Sequence, residues 1–164
     1  MDGALTLRPR AEGQGDLRAI AEIYVDAVHA LATDHYDEAQ REAWAPRSID
    51  LDRWRARLDG LHVQVAERDA RVLGFVAWDD EGYLDLLYTH PDAARTGVAT
   101  KLVAAVETDA RRRGLGRVWA NASDVSRPLF EHLGYTPGAE NWIDVRGQTL
   151  RNTVVEKALD GPGS

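Results

Sequence analysis

The sequence predicts an α/β fold, a twisted and mostly antiparallel sheet with helices on both faces, and three observations carry that prediction. Short alternating apolar runs and longer helical stripes share the chain from end to end. Three of the strand-like runs, between residues 61 and 88, are separated only by turns and read as antiparallel neighbours. A strongly amphipathic helix then follows the third run, opening at Gly97. With 164 residues, 44% of them hydrophobic, the chain has material for one core, so residues 1–160 are read as a single domain. The last four residues, Gly161-Pro162-Gly163-Ser164, are expected to be a disordered tail.

Leu5 and Leu7 alternate with Thr6 and Arg8 and stop at Pro9, a short first strand. Gly13 and Gly15 mark a loop, after which Leu17, Ile20, Tyr24, Ala27, Val28 and Leu31 recur at helical spacing behind Asp16 as N-cap. A second helical region runs from Tyr36 to Trp44 and breaks at Pro46. It resumes with Ser48 or Asp50 as cap and Leu51, Trp54 and Leu58 on one face, ending at Gly60. Strands are predicted over 61–67 and 72–78, turning at Asp69-Ala70, and over 83–88. Val98, Leu102, Val103, Val106 and Ala110 form the stripe of the next helix, closed by Arg111, Arg112, Arg113 and Gly114. The three arginines suit a helix C-terminus and, without interleaved aromatics, make a weak nucleic-acid patch. A strand over 118–122, a short helix over 126–133 with Gly134 as C-cap, a strand opening at Tyr135, and a hairpin of 142–146 with 149–157 complete the chain. Trp54, Trp78 and Trp119 read as core.

Composition narrows the chemistry. Without cysteine there is no disulfide, no thiolate metal site and no cysteine acyl-enzyme. A formal charge of −7 argues against non-specific nucleic-acid binding and mildly favours a cationic over an anionic acceptor. No run approaches the length of a membrane span, and the N-terminus lacks the basic and apolar segments of a signal peptide, so the reading is a soluble, cytoplasmic protein. No metal is expected, because no His/Asp/Glu cluster has ligand spacing.

The richest stretch is 83–114. An apolar run (Tyr83, Leu84, Leu86, Leu87, Tyr88) passes through His90-Pro91 and the turn Arg95-Thr96-Gly97 into a helix. Backbone N–H groups at a helix start lack intrahelical acceptors, and the helix dipole adds partial positive charge there. Gly97 allows close approach, so the segment suits a pyrophosphate. The Lys of a GxxxxGK[ST] loop and the spacing of GxGxxG are both missing, which disfavours nucleoside triphosphates and NAD.

On these residues the chain resembles the GNAT (GCN5-related) N-acetyltransferases. Ala94-Arg95-Thr96-Gly97-Val98-Ala99 matches the family's acetyl-CoA motif, Pro91-Asp92 its strand exit, and Pro128 to Tyr135 its second signature. His35-Tyr36, Ala43-Trp44, Arg146-Gly147 and Asn152 are similar to the YafP-like bacterial branch. Two positions depart from the pattern: Ala94 replaces the usual Gln or Arg, and Phe130 stands where many members carry a tyrosine proposed as general acid. The resemblance implies a mixed sheet with a splayed parallel strand pair at the acetyl-CoA site, and transfer of acetyl from acetyl-CoA to a primary amine of a small molecule. A protein-lysine acetyltransferase and a non-catalytic acyl-CoA-binding module are the alternatives.

The implied roles fall on particular residues. Leu87, Tyr88 and Thr89 would offer backbone groups to the pantetheine arm, one N–H, at Tyr88 or beside it, facing the thioester carbonyl, as a bulged strand permits. Arg95, Thr96, Gly97, Val98, Ala99 and Thr100 would cradle the pyrophosphate, with Ser126 and Phe130 also counted at the cofactor. Asn121 matches a pantetheine-contacting position and reads equally as a turn residue. For the general base, Asp85 is placed on the face of Tyr83 and Leu87 by period-two alternation, with Glu81 and His35 competing. Because Phe130 cannot donate a proton, the acid falls to Tyr135, to Ser126, which also suits a helix cap, or to none, a thiolate being a tolerable leaving group. Tyr36, Trp44, Trp142 and Arg146 are the expected acceptor lining, and aromatics there suit an aryl amine or an alkyl ammonium alike. The terminal hairpin could pair edges with a second copy in a homodimer.

Overall fold

Seven strands lie in one sheet: β1 (Thr6–Pro9), β2 (His62–Arg68), β3 (Arg71–Trp78), β4 (Tyr83–Thr89), β5 (Arg117–Ser123), β6 (Thr136–Val145) and β7 (Gln148–Ala158), in the order β1-β2-β3-β4-β5-β7-β6. The computed structural model describes residues 3–160, so the expected tail at 161–164 lies outside the described residues. All neighbours are antiparallel except β4 and β5, which run parallel. Helices α1 (Gln14–Leu31), α2 (Glu38–Trp44) and α3 (Leu51–Leu58) cover one face, and α4 (Val98–Arg112) and α5 (Arg127–His132) the other. Among the described residues, no helix is long and apolar enough to cross a membrane.

Each layer is fixed by apolar periodicity. Val98, Leu102, Val103, Val106 and Ala110 are all at most 2% exposed and pack against β3, β4 and β5. Leu17 and Ile20 of α1 meet Val65, Phe75 and Leu86 across the opposite face. The β2–β3 turn holds Asp69 and Ala70 at φ 52° and 63°, the paired left-handed geometry of a tight hairpin.

Several boundaries move for local reasons. Gly13, not Asp16, occupies the N-cap of α1; the Asp16 carboxylate instead accepts the Ala11 N–H at 2.6 Å and pairs with Arg8 at 2.7 Å. A guanidinium within reach outcompetes a helix N–H for a carboxylate. The second helix opens two residues after Tyr36, where Asp37 and Gln40 form a capping box. Asp50 caps α3. Ser126 holds the N-cap position of α5 without capping it, its hydroxyl lying 3.2 Å from that of Ser123. The closing hairpin is longer than its alternation suggested, because Arg146 and Gly147 at φ 46° and 84° make the two-residue turn and β6 reaches back to Thr136.

Trp78 is core, 4% exposed, and donates to Asp109 at 2.8 Å. The other two tryptophans expected there are only half buried. Trp54 turns edge-on to Tyr24 with ring centres 4.9 Å apart, and Trp119 stacks on Tyr83 at 4.3 Å beneath Arg117. Trp119 alternates with Val118 and Ala120, which take the α4 side, and so is left on the other face.

Candidate functional site

One residue breaks the regularity of the sheet centre. Ala77 pairs with Leu86 and Trp78 with Leu84, so Asp85 is an extra residue, a β-bulge. Beyond it the alternation inverts: Leu84 and Leu87 both pack on the α4 side, whereas Leu86 and Tyr88 join the α1 side. Asp85 therefore does not share a face with Leu87, as period-two counting had it. Its carboxylate turns toward α3 and meets both Arg57 terminal nitrogens at 2.5 and 2.9 Å, with 15% of the side chain exposed.

The same bulge precedes a gap. Parallel pairing joins only Tyr83 to Trp119 and Leu84 to Ala120, after which β4 and β5 part. The His90 N–H donates to the Leu73 carbonyl at 2.7 Å, and alternation along the ladder assigns the backbone groups of Tyr88 and Leu86 to β3. Those of Leu87 and Thr89 turn into the gap. This half-buried edge lines a cleft, so its backbone groups are free to pair with a ligand or with water.

The gap opens toward the start of α4. Gly97 sits at φ 88°, ψ 0°, and nothing in the protein lies within 4 Å of where a Cβ would stand. Arg95 is left-handed at φ 62°, and Arg95, Thr96, Gly97 and Thr100 are exposed, with Val98 buried behind them. The Thr96 hydroxyl donates to the Ala93 carbonyl at 2.5 Å, so its N–H is the donor of this residue left open to an anion.

A cleft of about 1410 Å³ runs through the gap from one helix layer to the other. Its α4–α5 end is lined by Ala99, Asn121, Ser126 and Phe130, and the Asn121 amide donates to the Tyr83 hydroxyl at 3.2 Å. Its α1–α3 end is walled by rings set edge to face: Tyr24 against Tyr88 at 4.6 Å, Tyr36 against Trp44 at 5.2 Å, and Trp44 against Tyr88 at 6.4 Å. Burial raises the pKa of all three tyrosines above the ordinary range, Tyr88 most strongly, so their hydroxyls stay neutral. Tyr36 ties the walls together, accepting the Asp124 N–H at 3.0 Å and donating to the Arg151 carbonyl at 3.4 Å. Arg146 lines the same end and donates to the Ala43 carbonyl at 2.6 Å.

Other expected residues lie elsewhere. Trp142 is 66% exposed under Arg151 and outside the cleft lining, because it alternates with Ile143, which takes the cleft side. His35 is exposed on the α1–α2 loop, and Glu81 is exposed in the turn before β4; neither lines the cleft. Tyr135 is 3% exposed and donates to the buried Glu107 carboxylate at 2.8 Å, which Lys157 also meets at 3.1 Å. Burial and that carboxylate push its pKa up. It touches Phe130 edge-on at 5.1 Å from behind the cleft wall.

Residues 32–147 match the family model of the acetyltransferase (GNAT) domain. The chain belongs to the GNAT acetyltransferase family. The N-acetyltransferase YafP of Escherichia coli K12 is 30% identical over 138 residues, 84% of this chain and 87% of that one. A GCN5-related N-acetyltransferase from Rhodopseudomonas palustris superposes with a TM-score of 0.90 at 32% identity, covering 97% of this chain and 98% of the other. The structure of yncA from Salmonella typhimurium with acetyl-CoA gives 0.70 at 26% identity, over 98% and 97%. In GNAT terms, the splayed β4–β5 pair and the helix start at Gly97 are where the family resemblance implied them.

Several members of the cleft were missed from the GNAT sequence, three of them structurally central. Arg57 neutralises Asp85, Tyr24 braces Trp44 by donating to its carbonyl at 3.1 Å, and Trp54 lines the wall. Asp50, Arg53, Trp54 and Arg57 all line it at helical spacing, a stripe that marks one face of α3. That the face meets Asp85 is a tertiary fact with no local signal. Among the described residues, no group of three or more His, Asp or Glu is placed to hold a metal ion.

Proposed function

We propose that this GNAT enzyme transfers the acetyl group of acetyl-CoA directly to the primary amine of a small molecule. The observation that carries the reading is the parting of β4 from β5 just past Asp85, in line with the open helix start at Gly97. The N–H groups of Arg95 to Thr100 hold the pyrophosphate, and Arg95 adds charge. The pantetheine arm enters the gap and pairs with Leu87 and Thr89 as a strand would, flanked by Asn121, Ser126 and Phe130.

The amine reaches the thioester from the α1–α3 end. Its nitrogen forms a bond to the carbonyl carbon, and the carbon–sulfur bond breaks. A β4 N–H in the gap stabilises the oxyanion, a fixed dipole placed where charge develops. Asp85, held in place by its two-pronged contact with Arg57, receives the ammonium proton directly or through water. Coenzyme A departs as a thiolate, whose ordinary pKa near ~8.5 makes a dedicated acid dispensable. Tyr135 is screened from the thioester and committed to Glu107.

Acetyl-CoA titration followed by thiol release with small amines and with lysine peptides tests the proposal. Binding and turnover of small amines is the expected result. Turnover of peptides alone would move the acceptor to protein, and binding with no turnover of either would leave a sensor rather than an enzyme.

A further inference from the structure

The charges lining the α1–α3 end of the cleft are four arginines, Arg53, Arg57, Arg146 and Arg151, and three carboxylates, Glu42, Asp50 and Asp85. Most are already matched. Arg57 is held two-pronged by Asp85, and Arg151 by Asp124 at 3.1 Å through two nitrogens. Glu42 accepts the Arg47 N–H at 3.1 Å and faces its guanidinium, while Asp50 accepts two N–H groups at the start of α3. Among the described residues lining the cleft, two cations are left with no carboxylate partner: Arg53, and Arg146, whose one bond goes to a neutral carbonyl. Arg57 and Arg146 both act electrostatically on the Tyr24 hydroxyl, so they flank one part of the cleft.

The acceptor end thus carries surplus positive charge on a wall of aromatic rings, although the whole chain is at −7. Among the described lining residues Asp50 is the one carboxylate without a cation partner, and two helix N–H groups share one of its oxygens, so two unpartnered arginines stand against a single such carboxylate. We propose that the acceptor is an amine with an aromatic or otherwise apolar body that also bears a carboxylate or comparable anion, seated on Arg146 with Arg53 adding charge. The amine of this proposal rests on the acetyltransferase reading; the anion rests on the arginines alone. Arg146 suits the role because its bond to Ala43 fixes the side chain and leaves further donors of the planar fork open for a two-pronged contact.

Calorimetric titration of the coenzyme A complex with 3-phenylpropionate and with the isosteric 3-phenylpropionamide tests the anion site without requiring turnover. The carboxylate is expected to bind at least about tenfold tighter, as charge-assisted hydrogen bonds allow. Arg146→Asn, a residue that tolerates the left-handed backbone of position 146, should reduce that ratio toward one. If that variant does not fold, Arg53→Gln and salt serve instead: either should narrow the ratio by weakening the carboxylate and not the amide. In turnover, 4-(2-aminoethyl)benzoate should exceed 2-phenylethylamine in kcat/KM by a similar factor. Equal binding of the first pair, or binding of neither, would overturn the proposal. Failure of acetyl-CoA to bind would instead sink the transfer reading, and the carboxylate and amide titrated on the free protein would still decide the anion site.

Discussion

Gly97→Glu isolates the phosphate cradle, because the structure separates what the change does to the protein from what it does to a ligand. Apart from its two chain neighbours, no protein atom lies within 4 Å of the new Cβ, so the side chain starts in open space. What remains is the left-handed backbone at φ 88°, about 1–2 kcal/mol for a residue other than glycine. For a chain of this length that lowers Tm by roughly 2–8 °C. Acetyl-CoA at about 100 times its dissociation constant stabilises the wild type by ~2.7 kcal/mol, which the same scaling turns into roughly 5–11 °C. In the variant a carboxylate stands against the pyrophosphate and that upward shift should vanish. Gly114→Glu is the matched control: it has φ 74° and open space, at the far end of α4. It should lose comparable stability and keep the full ligand shift. Differential scanning fluorimetry reads both quantities at once. An undiminished acetyl-CoA shift in Gly97→Glu would refute the cradle assignment.

Three further outcomes are expected. Asp85→Asn should lower turnover while leaving the acetyl-CoA shift intact, and a pH–rate profile identical to wild type would remove Asp85 from the base role. Trp142→Ala, at a side chain 66% exposed and outside the cleft lining, should change stability by no more than about 0.5 kcal/mol and leave acceptor KM unaltered; a raised KM would return Trp142 to the site. Alkaline pH should destabilise the fold, since burial holds Tyr24, Tyr88 and Tyr135 neutral with pKa values above the ordinary ~10. Their contribution is complete below the unfolded value and is lost as pH rises above it through the folded values, so urea midpoints should be level up to about pH 9 and fall above pH 10.

The helices and the sheet were readable because each displays its own period: the α4 stripe from Val98 to Ala110 is buried as its spacing required, and Gly97 marks its start. The turn from Arg95 to Gly97 into α4 was readable for a related reason, being built by consecutive residues. On the acceptor side Tyr36, Trp44 and Arg146 line the cleft as the sequence led one to expect, but the contribution of α3 was not readable. Arg57 and Asp85 are 28 positions apart and meet only through packing of α3 on the sheet. Tyr135 gave the opposite error: its chemistry suited an acid, but Glu107, which claims the hydroxyl, sits one helix away. Period-two counting failed at one site for a physical cause, the unpaired residue at Asp85, which no feature of Tyr83 to Tyr88 announces.

That single unpaired residue ties together two properties that are separate in chemistry. It sets a carboxylate in the cleft wall and, by inverting the alternation after it, decides which backbone groups of β4 face the gap. Removing one residue here would exchange the faces of everything on one side of the break, so the proposed base and the proposed cofactor grip would be lost in one step. Change in acceptor is therefore open to this chain through α2, α3 and the closing hairpin, whose side chains line the cleft without setting the register. At the bulge, the chain length itself is the conserved quantity to look for among its descendants.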